Sequence, residues 1–167
     1  DEQTLALGYT DGTVILWRIQ TSVEPFLGHR LEGLVESGVT RKSAFSQTGN
    51  RLALTSNPGE ITLWEINTGV TEEAKQITNL PLGKAVPRSM ALSSSGQFVA
   101  WLESNDQIRV WDIQSNQAMN VTPASSLEPG VLSLVFGSDN QLLLGQRNGR
   151  VTIWRLQDGS ARDVNLQ

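Results

Sequence analysis

Apolar and polar positions fall into one short phrase that the chain uses four times. TVILWRI (13–19), EITLWEI (60–66), QIRVWDI (107–113) and RVTIWRL (150–156) each carry a β-branched residue three positions before a Trp. Each also has an aliphatic residue just before the Trp and Ile or Leu two after it. Both alternating faces are apolar in such a segment: Val14 and Leu16 lie on one, Ile15, Trp17 and Ile19 on the other. A strand with one solvated face would alternate apolar with polar, so the pattern predicts strands covered on both faces. Burying one large aromatic and several aliphatics there contributes on the order of 1.5–3 kcal/mol per side chain, which assigns the tryptophans to the core.

The phrase has a fixed context. LALGYTDG, LALTSNPG, VAWLESND and LLLGQRNG precede the Trp strands at a matching offset, each a β-rich run closed by turn-forming residues. Ahead of three of these lie VTRKSAFSQTGN, PRSMALSSSGQ and VLSLVFGSDN, and weaker strands follow the Trp segments at VEPFL, AKQIT, QAMNV and ARDVN. Successive tryptophans (Trp17, Trp64, Trp111 and Trp154) are 47, 47 and 43 residues apart. No useful length of the chain has helical periodicity. The expectation is an all-β protein of four-stranded antiparallel units in series, with a period suited to propeller blades of roughly 40–45 residues.

These residues resemble the WD-repeat β-propeller family. LALTSNPGEITLWEI follows the family's strand–turn–strand pattern, Trp111-Asp112 is its signature dipeptide, and Gly28-His29 is similar to the Gly-His placed after an outermost strand. The resemblance implies one propeller domain over 1–167, with blades at about 1–28, 39–80, 86–121 and 130–167. It also implies that the opening DEQTLALG is the tail of a turn whose innermost strand is missing. About three and three-quarter blades are then present, and the remaining blades are expected from the same or another chain. The other Trp neighbours are Arg18, Glu65 and Arg155, and no blade carries the family's full buried set of His, Ser or Thr, Asp and Trp. Packing is therefore expected to replace those hydrogen bonds.

Composition narrows the function. The formal charge of −4 provides no basic excess for displacing counterions from nucleic acid, and no apolar run is long enough to span a bilayer as a helix. Without Cys, and with His29 the sole histidine, a metal site is not expected; the reading is of a cytoplasmic protein that needs no cofactor. A Ser/His/Asp nucleophile set would force His29 onto an arbitrary serine. Among the scattered carboxylates Glu60, Glu65, Glu72, Glu73, Glu103, Asp106 and Asp112, none recurs at one repeat position. The competing class, a propeller hydrolase with an axial site completed outside this chain, needs such convergence.

The resemblance implies a non-catalytic scaffold or sensor module that docks other proteins or peptides. It places the turns between second and third strands, and the starts of first strands, on one face. The residues are Thr10 and Asp11, Asn57, Ser104 and Asn105, Arg147 and Asn148 in the turns, with Arg41, Arg88 and Val131 at strand starts. Arg41, Arg88 and Arg147 then make a positive arc suited to an acidic partner, or are unrelated solvated arginines.

Overall fold

The computed structural model describes residues 4–9, 13–18, 29–31, 42–55, 59–66, 74–82, 87–119 and 130–164. Fifteen strands and no helix occur among them. The chain divides into two compact units, Asp1–Lys84 and Ala85–Gln167, each containing two antiparallel sheets.

In the first unit, β1 (Thr4–Gly8), β2 (Val14–Arg18) and β3 (His29–Leu31) form a three-stranded sheet. β4 (Lys42–Phe45), β5 (Arg51–Thr55), β6 (Glu60–Ile66) and β7 (Ala74–Pro81) form a four-stranded one. In the second unit, β8 (Ser89–Leu92), β9 (Phe98–Leu102), β10 (Ile108–Asp112) and β11 (Gln117–Ala118) pair in chain order. So do β12 (Val131–Ser138), β13 (Gln141–Gln146), β14 (Val151–Arg155) and β15 (Ala161–Val164).

The four Trp phrases take one register. Trp17 faces Leu5, Trp64 faces Leu52, Trp111 faces Val99 and Trp154 faces Leu142. Trp64 and Trp154 are buried and Trp111 is half-buried; the side chain of Trp17 lies outside the described residues. The Ile or Leu two residues after the Trp has a backbone task as well. The N–H groups of Ile66, Ile113 and Leu156 donate to the carbonyls of Asn50, Gln97 and Asn140 at 2.8, 2.9 and 3.0 Å, tying each Trp strand to the turn between its sheet's first two strands.

Sheet packing follows one rule in both units. Val14 and Leu16, on the face carrying the residue before the Trp, pack with Leu52, Leu54, Trp64 and Ile66 of the next sheet. In the second unit, Ala91, Ala100, Leu102 and Val110 pack with Leu134, Leu142, Leu144, Trp154 and Leu156. The paired alanines Ala91 and Ala100 leave room for the large side chains opposite, as close packing requires. The faces turned away from these contacts are less covered. Leu5 and Leu7 of β1 and Tyr9 just after it alternate at 45%, 39% and 45% exposure, while Leu132 and Val135 of β12 reach 51% and 56%.

Two expectations are adjusted. The outermost strand expected at 23–27 lies outside the described residues; β2 pairs with His29–Leu31, so His29 opens a strand. The pairing there sets His29 opposite Leu16 and Leu31 opposite Val14. The strand at 131–140 is also not regular: register shifts between Val131 and Ser133, and between Phe136 and Ser138, place Leu132 and Gly137 in bulges.

Candidate protein-docking face

Of the nine residues assigned to the docking face, Thr10, Asp11, Arg41 and Asn57 lie outside the described residues. Arg88, Ser104, Asn105, Arg147 and Asn148 all belong to the second unit. There the structure brings Arg88 and Arg147 to either side of one short piece of backbone at the start of β12. Arg88 donates from Nη2 to the Val131 carbonyl at 3.2 Å, and the Arg147 N–H donates to the Gly130 carbonyl at 2.8 Å.

Local chemistry shapes the turns that present these side chains. Between β9 and β10, the Glu103 N–H donates to Gln107 O at 2.8 Å and the Asp106 N–H to Glu103 O at 3.2 Å. Between β13 and β14 the same bonds recur, from Gln146 to Arg150 at 2.9 Å and from Gly149 to Gln146 at 3.0 Å. Asn105 and Asn148 brace the two turns alike, each side-chain oxygen accepting the N–H two residues on, at 3.1 and 3.0 Å. The next residue must be left-handed: Asp106 has φ 66° and Gly149 φ 83°. Both asparagines thus hold their own turns through their side-chain oxygens.

The arginines differ from each other. Arg88 is held by the first unit of backbone after β9 and by its own sheet: Nε donates to the Glu103 carbonyl at 3.2 Å, and Nη2 pairs with the Asp106 carboxylate. Its side chain keeps 36% exposure. Arg147 is exposed and makes no side-chain hydrogen bond or ion pair with the described residues, its stem lying over Gly130. A Cβ at Gly130 would stand 3.3 Å from that of Arg147, and with φ at +118° this position favours glycine.

Polar groups around this face are mostly engaged. Glu103 pairs with Arg109 at 3.3 Å and Asp163 with Arg150 at 3.4 Å. A relay crosses three strands of the last sheet: buried Gln146 donates from Nε2 to Thr152 Oγ1 at 2.7 Å, and that hydroxyl donates to Asp163 Oδ1 at 2.6 Å. At the opposite ends of the strands, Asp112 of the Trp111-Asp112 pair closes the turn after β10. Partial burial pushes its pKa up, but hydrogen bonds from Ser115, Gln114 and Gln97 outweigh this and hold it below the usual carboxylate value. Asp139 behaves alike: burial raises it, and bonds from Ser95 and Ser93 lower it further than burial lifts it. The Ser95 N–H donates to Asp139 at 2.9 Å, joining the first-turn regions of the two sheets.

Among the described residues, the tryptophan nitrogens lack the buried hydrogen bonds that the WD-repeat resemblance led one to look for. Nε1 of Trp64, Trp111 and Trp154 is buried without a hydrogen-bond partner among the described residues, each Trp facing Leu or Val across the strand pair. An unmade bond of this kind costs about 1–3 kcal/mol, which the apolar burial of the ring offsets. Among the described residues no three His, Asp or Glu side chains gather in a metal-binding group.

Sequence reasoning missed Asp106 as a partner of Arg88. The available signal was the alignment of the two turns, which sets Asp106 against Gly149 and marks an acid where a glycine is conformationally preferred.

The fold is that of a WD40 β-propeller. The chain is similar to the C-terminal WD40 domain of Sif2, with a TM-score of 0.66 and 18% identity over 100% of this chain and 46% of that one. It is also similar to the β-propeller domain of Cps50 (Swd1) from Myceliophteria thermophila, with a TM-score of 0.69 and 14% identity over 92% of this chain and 50% of that one. The chain therefore spans about half the length of these propeller structures. No protein-family profile matches it, and no curated protein does.

Proposed function

We propose that this chain is part of a non-catalytic WD-repeat propeller that docks other proteins, and that the turn face of its second unit is the contact surface. One domain spans 1–167, and the remaining blades come from the same or another chain. The exposed apolar rows on β1 and β12 support this reading, because a face of that character is more stable covered than in water.

The observation carrying the docking assignment is Arg147, an exposed cation without an ion-pair partner among the described residues, on a turn braced by Asn148. A rigid mount loses little entropy on binding, and a guanidinium offers a bidentate fork to a carboxylate. The partner is an acidic peptide or protein surface, rather than nucleic acid or membrane. Fluorescence anisotropy with a labelled hexaglutamate peptide tests this. Binding should weaken with added salt and fall on Arg147→Glu. A peptide that binds that variant as tightly as the unaltered protein, or binds neither, removes the assignment.

A further inference from the structure

We propose that Arg88 and Arg147 form a two-pronged carboxylate site in which the protein's own Asp106 occupies Arg88 until an incoming acidic side chain replaces it. The inference rests on the docking reading above and gives that site its ligand chemistry and its competitor.

Three observations carry it. The two arginines lie against consecutive residues, Arg88 on the Val131 carbonyl and Arg147 over Gly130, so one acidic segment crossing the start of β12 meets both. Arg88 is oriented by two backbone carbonyls, Glu103 O and Val131 O, each at 3.2 Å. These contacts do not depend on Asp106 and hold the guanidinium in place when the acid leaves. Asp106 is the replaceable partner. It lies in an exposed turn at 37% side-chain exposure and takes a left-handed backbone, whereas the matching turn has Gly149 and no carboxylate. An exposed pair is worth little, so a second carboxylate reinforced by Arg147 can compete for it.

The exchange transfers no proton and breaks no covalent bond: one carboxylate replaces another on Arg88, and Asp106 turns to water. The overall charge change at the site is the charge of the arriving segment, and Arg147, which has no side-chain partner among the described residues, gives that segment its first contact.

The test uses the full chain and labelled hexaglutamate, with hexaglutamine as the uncharged control. Asp106→Asn keeps a residue that tolerates the left-handed turn and removes the competitor, and it should tighten hexaglutamate binding about threefold, the scale of one exposed pair. Asp158→Asn, which removes an exposed carboxylate from a different turn, should change it little. The Asp106→Asn gain should vanish when Arg88 is changed to Lys, which keeps the charge and loses the fork. Equal gains from Asp106→Asn and Asp158→Asn mean that only net charge matters and overturn the proposal, as does no gain from Asp106→Asn while the unaltered protein binds. Should neither the protein nor Asp106→Asn bind hexaglutamate, the docking reading itself fails. Hexaglutamine bound as well as hexaglutamate overturns the carboxylate chemistry.

Discussion

The two sheets of the second unit share a backbone plan and use it differently. Between its second and third strands each has a five-residue hydrogen-bonded segment, Glu103–Gln107 and Gln146–Arg150, closed by equivalent hydrogen bonds and braced by an asparagine. In the β8–β11 sheet the left-handed position is Asp106, and its carboxylate engages Arg88; in the β12–β15 sheet it is Gly149, and the neighbouring Arg147 is exposed. The sheets differ inside as well. Trp154 is fully buried among Leu134, Leu142 and Leu144, whereas Trp111 is half-buried. The repeat thus governs backbone geometry, while single substitutions decide which blade supplies core and which supplies committed or available charge.

Replacing the two tryptophans separates the sheets most strongly. Trp154→Ala should cost about 3–5 kcal/mol in urea unfolding, as expected for a large aromatic taken from a packed core. Trp111→Ala should cost less than half as much, because part of its ring already meets water. Equal losses would show that the difference in burial has no energetic weight.

The turns come next. Gly149→Ala puts a side chain at φ 83° with nothing nearby to clash, so any loss is backbone strain alone, of about 1–2 kcal/mol. Asp106→Gly relieves a milder strain and removes an exposed pair, and the two effects should nearly cancel. Thermal melts of both variants check the asymmetry; a loss from Asp106→Gly as large as that from Gly149→Ala breaks it.

Asp139 links the sheets, and its effect should be smaller. Its pKa is depressed in the folded protein, so its contribution is present above the unfolded carboxylate value near 4 and is lost as pH falls through the folded value. Asp139→Asn should therefore cost about 1 kcal/mol at neutral pH and nothing once the pH lies well below the depressed folded value. A difference between the variant and the unaltered protein that does not shrink on acidification would assign the effect to geometry rather than charge.

The smallest effect is the coupling of Arg88 with Asp106. A double-mutant cycle with Arg88→Gln and Asp106→Asn should yield about 0.2–1 kcal/mol at low salt and less at 1 M salt, where charges are screened within about 3 Å. A salt-independent coupling would point to the backbone bonds of Arg88 instead.

The repeated phrase around each Trp was enough by itself to establish the strands and their grouping into antiparallel units in series. Alternation commits each side chain to a face, and a large residue recurring at one position can be buried only if the sheets stack. That no blade carries the full buried set of His, Ser or Thr, Asp and Trp was equally readable, and Nε1 of Trp64, Trp111 and Trp154 is buried without a partner among the described residues. The outermost strand of the first sheet was not readable to the residue. Its placement at His29–Leu31 depends on which residues find partners along Val14–Leu16, and edge strands carry weak patterns. The docking face was legible only as a set of turn positions. Whether an arginine on it is committed depends on contacts between residues far apart in the chain, such as Arg88 with Val131, and no local pattern encodes them. Only the packed sheets decided that Arg88 is held by Asp106 and two carbonyls while Arg147 stands exposed, because hydrogen-bond satisfaction is set by three-dimensional proximity rather than by residue type.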